Sequence, residues 1–159
     1  GEEPYTLAIT LAEFVRKHGA MDWLIEASDI STRVLAKARD AIYPMDRLQV
    51  PQPDLLSRYF QKGTGENDGL YRVKDILREK VKFHHLNLLQ PQYPVCPHKH
   101  VIFCRNVMIY FDHATQQELV TKLITHLLPG GYLIVGHSES LLGVKHSLRP
   151  VQPAVYRKP

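Results

Sequence analysis

Four short apolar runs alternate with segments of helical spacing along this chain, and that alternation restricts the fold more than any other feature. Trp23-Leu24-Ile25-Glu26-Ala27, Val81 to Leu86, Val101 to Cys104 and Tyr132 to Gly136 have the length of buried strands rather than of helices. From Pro4 to Lys17, Leu7, Leu11, Phe14 and Val15 recur at helical spacing, and His18-Gly19 supplies a stop. Ser31 is placed to cap a second helix holding Val34, Leu35, Ala38 and Ile42. Thr115 to Leu128 carries Leu119, Leu123, Ile124 and Leu127 on one stripe and meets Pro129-Gly130-Gly131 at its end. Strands and helices in this order predict an α/β fold.

A chain of 159 residues with 44% hydrophobic and 23% charged residues has the composition of a globular protein, and one compact unit is expected. No apolar stretch approaches the roughly 18 residues that mark a membrane span, and no basic-then-apolar leader opens the chain. Its two cysteines, Cys96 and Cys104, make no disulfide framework and fit a reducing compartment. The net charge of +4 is concentrated at Arg72, Lys74, Arg78, Lys80 and Lys82. A basic run favours nucleic acid, anionic membrane or acidic protein, and it equally describes a solvated face, so charge alone selects no partner.

The rhythm is interrupted from Tyr43-Pro44 onward. Pro44, Pro51 and Pro53 break the chain, a short helix is predicted from Asp54 to Phe60, and Gly63 to Gly69 has strong turn chemistry. That turn is flanked by Tyr59-Phe60-Gln61 and Leu70-Tyr71-Arg72-Val73, which predicts a hairpin with a long loop. Residues 44–80 therefore read as a small β insertion in the main sheet. Near the end, Ser147-Leu148-Arg149 and Ala154 to Arg157 read as an edge hairpin around Pro150 and Pro153. At the other end, Gly1-Glu2-Glu3-Pro4 reads as a loop entering a helix, with Pro4 in its first turn. Domains rarely open at such a junction, so the chain is expected to be part of a longer one.

The polar residues that follow strands are the candidate site. Arg105-Asn106 comes directly after Val101 to Cys104, and open α/β sheets gather ligands beyond that end of a strand. Asp29 ends the first run, where a carboxylate can accept hydrogen bonds from ribose hydroxyls, although it can also cap the helix near Ser31. Asn87 follows the second run. Glu3 lies in the first turn of its helix, where a negative charge is favoured with or without a ligand.

Other groupings carry less. Cys96, His98, His100 and Cys104 invite a zinc reading, but His100 and Cys104 stand at opposite ends of one strand, about 13 Å apart at ~3.3 Å per residue. They cannot share a metal, and none is expected. His84 and His85 alternate faces. Gly136-His137-Ser138-Glu139 contains hydrolase-like components, yet sequence neighbours do not make a triad, and a hydrogen-bonded structural turn beneath the site is the preferred reading. Gly63 to Gly69 lacks the helix and the Gly-Lys-Ser/Thr ending of a phosphate loop.

Four segments in order, GEEPYTLA (Gly1 to Ala8), ASDIS (Ala27 to Ser31), NLL (Asn87 to Leu89) and CRNVMIYFD (Cys104 to Asp112), closely resemble the CheR-type chemoreceptor methyltransferases. Arg58 to Val73 looks like that family's inserted β-subdomain, and GHSES (Gly136 to Ser140) like its late-strand motif. The resemblance implies a Rossmann-like S-adenosylmethionine-dependent methyltransferase sheet spanning 1–159, with an inserted β-subdomain at 44–80. It implies O-methylation of receptor glutamates, with S-adenosylhomocysteine as product, in the cytoplasm or at membrane receptor arrays, without nucleic acid or membrane insertion. Glu3, Asp29, Asn87, Leu88, Arg105 and Asn106 fall on cofactor-contacting positions of the family. Tyr110 falls on a tyrosine near the transferred methyl, so Tyr110 and Arg105 are the catalytic candidates, although a tyrosine there can also simply pack. The resemblance further implies docking of a receptor's C-terminal peptide on the 58–73 hairpin. Family members carry an N-terminal helical domain, a first strand and a glycine loop before GEEPY, and these are expected to lie outside this chain.

A non-catalytic module that docks on receptors or senses the cofactor is the alternative. A nucleotide-linked dehydrogenase or a nucleic-acid methyltransferase of similar fold is a third reading, which CRNVMIYFD and the inserted hairpin disfavour.

Overall fold

The computed structural model describes residues 1–48 and 53–159; Pro51 lies outside the described residues. Contacts divide the chain into two compact units, Gly1–Asn87 and Leu88–Pro159.

In the first unit, helix α1 (Glu2–His18) has Glu2 and Glu3 in its first turn and Arg16, Lys17 and His18 in its last, the arrangement the helix dipole favours. It buries Tyr5 and Ala8, with Ile9 and Ala12 packed beside them. The expected stripe of Leu7, Leu11, Phe14 and Val15 is not the buried one: Phe14 is exposed and stacks on His18, with ring centroids 4.6 Å apart. The helix has apolar residues on two faces, and small Ala8 with the hydroxyl of Tyr5, which donates to the Ala38 carbonyl at 3.0 Å, decides which face turns inward.

Strand β1 (Ile25–Asp29) leads to helix α2 (Thr32–Asp40), capped as expected by Ser31, whose side chain accepts from the Val34 N–H. Ile42 is not in that helix; it stands half-exposed in strand β2 (Ile42–Pro44) after a left-handed Ala41. Helix α3 (Pro53–Tyr59), strands β3 (Phe60–Lys62) and β4 (Leu70–Val73), helix α4 (Asp75–Arg78) and strand β5 (Val81–His85) complete the unit. The predicted hairpin is present as antiparallel β3–β4, and β2 pairs the other side of β4. Strand β5 lies parallel to β1, Asp29 opposite His85.

In the second unit, strand β6 (Lys99–Cys104), helix α5 (His113–His126) and strand β7 (Leu127–Val135) form a βαβ unit with parallel strands. Leu119, Val120 and Leu123 of α5 pack with Leu133 and Val135 of β7, each such side chain contributing about 1.5–3 kcal/mol when buried. Helix α5 stops at His126, so Pro129-Gly130-Gly131 does not end it. These residues lie inside β7, at the irregularity where pairing steps from Lys99–Leu127 to Val101–Tyr132. Strands β8 (Arg149–Gln152) and β9 (Val155–Arg157) follow in the sheet order β6-β7-β9-β8. Pro150 lies within the edge strand β8, where a missing N–H is tolerated, and not between the two strands.

Both parallel pairs and the antiparallel additions make this a mixed α/β protein, as the sequence pattern predicted. No helix among the described residues is long and apolar enough to cross a membrane.

Candidate functional site

Within each unit, predicted residues follow the carboxyl ends of a parallel pair: Asp29 and Asn87 in the first, Arg105 and Asn106 in the second. In the first unit the Leu86 N–H donates to the Asp29 carbonyl at 3.1 Å, which brings Asn87 one residue beyond the end of β1. One oxygen of the half-buried Asp29 carboxylate accepts the Ser31 N–H at 2.7 Å, and no other hydrogen bond engages this carboxylate among the described residues. The cap of α2 is Ser31 and not Asp29, whose carboxylate shapes the turn that leads into the helix. Glu3 lies exposed in the first turn of α1. Gly1, just before that helix, packs so closely on α2 that a Cβ there would stand 2.7 Å from the Ala38 Cβ.

In the second unit, Arg105 and Asn106 leave β6 on an exposed turn that continues through Val107 to Tyr110. Asn106 is left-handed, with φ 59°. The turn is tied on two sides. Gln116 of α5 donates to the carbonyls of Met108 and Phe111 at 2.9 and 3.0 Å, and Asp112 caps α5 by accepting the Thr115 N–H at 2.8 Å. That cap holds the Asp112 carboxyl below its usual range. From the other side, the Glu139 carboxylate accepts the N–H groups of Asn106, Val107 and Met108 at 2.8 Å each and of Gly136 at 2.7 Å. Burial alone raises the Glu139 pKa, but these four donors outweigh it and the carboxyl lies below its usual range. Gly136 has no room for a side chain, because a Cβ there would meet Glu139 Oε2 at 2.6 Å.

Tyr110 is 79% exposed, so its ring is not a packing residue of this unit. Leu88 is half-buried against the core of α5 and β7, and its carbonyl accepts the Tyr93 hydroxyl at 2.7 Å. The Lys122 ammonium reaches the carbonyls of Leu88, Leu89 and Gln90 at 3.4, 3.5 and 3.0 Å and lies over the Tyr93 ring. Two residues that shape the candidate site, Glu139 and Lys122, were not among those picked from the sequence. Glu139 had one visible signal, an acid three residues after a strand-ending glycine. His137 and Ser138 beside it are exposed, and their Gly-His-Ser-Glu run is the structural turn expected, with Glu139 as its hydrogen-bonding member. Lys122 had none.

No group of three His, Cys, Asp or Glu side chains able to hold a metal occurs among the described residues. His84 instead faces Glu26 at 3.3 Å, and the His85 ring is 3.0 Å from the Ile30 carbonyl.

Residues 1–156 match the family model for the CheR methyltransferase, SAM binding domain. The chain belongs to the CheR methyltransferase family. It is 49% identical over 140 residues to the chemotaxis protein methyltransferase of Escherichia coli, covering 88% of this chain and 49% of that protein. With its counterpart in Salmonella typhimurium it shares 47% over 140 residues, covering 88% and 48%. Chemotaxis protein methyltransferase 2 of Pseudomonas aeruginosa is 45% identical over 159 residues, covering 98% of this chain and 55% of that protein. The CheR chain thus spans about half the length of the curated relatives it matches.

The residues present suit the donor that this family's domain name specifies. In the first unit Asp29 offers a carboxylate for hydroxyls and Asn87 an amide; in the second, the N–H groups of the turn after β6 are already taken by Glu139.

Proposed function

We propose that this protein transfers a methyl group from S-adenosylmethionine to glutamate side chains of chemoreceptors, and that residues 1–159 form part of its catalytic domain. The observation that carries the reading is the match of residues 1–156 to the CheR domain, together with relatives that are named chemotaxis protein methyltransferases. When bound, S-adenosylmethionine supplies a methyl group on a sulfonium and leaves as S-adenosylhomocysteine.

The chain's own residues bind and orient. Asp29 takes the ribose hydroxyls, Asn87 and Leu88 flank the adenine, and Arg105 and Asn106 line the floor toward the methionine portion, with Glu3 at the start of α1 completing the set. Tyr110 steadies the sulfonium through its ring face, an attraction of about 0.5–2 kcal/mol. No residue has to remove a proton, because a glutamate acceptor with a reference pKa of about 4.3 is already ionised at neutral pH. Positioning and exclusion of water are then the main levers, and good geometry contributes roughly 7–11 kcal/mol. A turn held from both sides, by Glu139 and by Gln116, suits that task.

Residues 44–80 are read as an inserted β-subdomain that holds a receptor's C-terminal peptide along the 58–73 hairpin. Strands β2 and β3 are the edges of the three-stranded sheet β2-β4-β3, and strand addition uses such edges. An acceptor in the cytoplasmic domain of a receptor implies an enzyme that acts in the cytoplasm, at receptor arrays.

The test is isothermal titration with S-adenosylmethionine followed by transfer of labelled methyl to receptor. Binding and turnover support the reading, with Asp29→Asn weakening binding; binding without turnover leaves only a cofactor-sensing module; methylation of RNA instead of receptor glutamates defeats it. For docking, a receptor-tail peptide is titrated at rising salt. Affinity indifferent both to salt and to removal of the hairpin rejects the docking site.

A further inference from the structure

Successive backbone N–H groups that curl through a left-handed residue make a concavity that binds anions. Asn106, Val107 and Met108 form one here, with Asn106 supplying the left-handed bend at φ 59° and Gly136 adding a fourth N–H from the end of β7. The occupant is internal. Glu139 Oε1 accepts from Val107 and Met108, and Oε2 accepts from Asn106 and Gly136. Glu139 is 7% exposed and is the buried charged side chain among the described residues. The four groups that hold it are backbone donors, and no ion pair joins it to a lysine, arginine or histidine among the described residues.

A surface loop needs no such device. Three consecutive N–H groups facing inward at a strand end have no strand or helix partner, and only an acceptor with two oxygens satisfies them together with Gly136. Removing that acceptor leaves donors that either turn outward to water or capture an anion. The first change moves Arg105 and Asn106, the two residues at the mouth of the turn, and the second holds them in place.

We infer that Glu139 is a positioning residue: it fills an anion nest at the carboxyl end of β6 and so fixes Arg105 and Asn106 for the methyl donor. The use of the turn rests on the functional reading above, whereas the nest itself does not.

The test is Glu139→Ala in the full chain, with formate as the probe for the emptied nest. The variant is expected to bind S-adenosylmethionine about tenfold more weakly or worse, the scale of one misplaced hydrogen-bonding group. Formate supplies two carboxylate oxygens without a tether. It raises the melting temperature of the variant and restores much of its donor affinity, and it leaves the unsubstituted chain unchanged. A protein whose Glu139 had only a general packing role would not respond to formate in this way. A variant that binds the donor as tightly as the unsubstituted chain overturns the positioning role, and a folded variant indifferent to formate overturns the nest.

If Glu139→Ala does not fold even in formate, amide exchange in the unsubstituted chain decides. Protection of the Asn106, Val107, Met108 and Gly136 amides supports the nest, and rapid exchange at all four overturns it. If the unsubstituted chain fails to bind S-adenosylmethionine, the functional reading falls, and the formate response of the variant still judges the nest.

Discussion

Glu13, on α1 of the first unit, is held by the guanidinium groups of Arg16 and Arg58 and by the Tyr59 hydroxyl; Glu139, after β7 of the second, is held by four backbone N–H groups and, among the described residues, no cation. Both carboxyls lie below their usual range. For Glu13 the hydrogen bonds from Arg16 and then Tyr59 act against burial and bring it to about 2. For Glu139 burial is the largest influence and is overcome only by the sum of the backbone donors. The first arrangement joins side chains of α1 and α3, which can rotate away and find water. The second joins a side chain to the main chain, which reaches water only if the turn itself moves. A charge satisfied by dipoles fixes backbone, while a charge satisfied by other charges mostly fixes side chains.

The largest expected effect follows from that distinction. Glu139→Gln keeps one acceptor oxygen and turns an NH2 group toward two N–H donors, so it is expected to cost about 2–4 kcal/mol of stability. The loss, measured by urea unfolding, should be nearly the same at low and high salt. A loss that shrinks with salt would place Glu139 in the same class as Glu13.

Much of this architecture was legible in the sequence. The strands were, because short apolar runs bounded by polar residues have few alternatives, and Ser31 was, because a hydroxyl before a helical stripe has one obvious use. The end of α5 was not. Pro129-Gly130-Gly131 has the chemistry of a stop, but Leu127 had already joined the strand beside Lys99, and the three residues form its irregular stretch instead. The inward face of α1 was missed because the larger apolar residues Leu7, Leu11 and Phe14 outweigh Tyr5 and Ala8 in any pattern, while a close helix contact favours the small residue. At the site, Asp29, Arg105 and Asn106 stand out as polar residues after apolar strands. Glu139 does not, because its importance lies in four N–H groups that every residue possesses.

A smaller effect is expected from Glu13→Gln. It should lower the melting temperature less than Glu139→Gln, and the difference from the unsubstituted chain should narrow as salt shortens the screening length from about 10 Å at 0.1 M to about 3 Å at 1 M. Acid separates the contributions further. A carboxyl whose folded value is about 2, against 4.5 when unperturbed, adds stability that is fully present above about pH 4.5 and fades as pH falls toward 2. Glu13→Gln should therefore flatten the stability curve across that window. An unchanged slope would show that the Arg16 and Arg58 contacts do not persist in solution.

The smallest effect concerns Cys104, the last residue of β6, which is 5% exposed. Burial, and after it the negative charge of Glu139, pushes its thiol up to about 12. Cys96 is exposed. Since the thiolate is the reactive form, a thiol reagent at pH 8 should modify Cys96 quickly and leave Cys104 almost untouched. Glu139→Gln removes the charge and leaves the burial, so labelling of Cys104 should rise only modestly, whereas Glu13→Gln should leave it unchanged. The contrast matters because a neutralised Glu139 that also loosened the turn would expose Cys104 as well as lower its pKa. Labelling that stays far slower than that of Cys96 at each pH reports the lost charge alone; labelling that approaches the Cys96 rate reports an opened strand end. The first outcome would show that an amide holds enough of the nest to keep β6 closed, and the second that the four N–H groups need a full carboxylate.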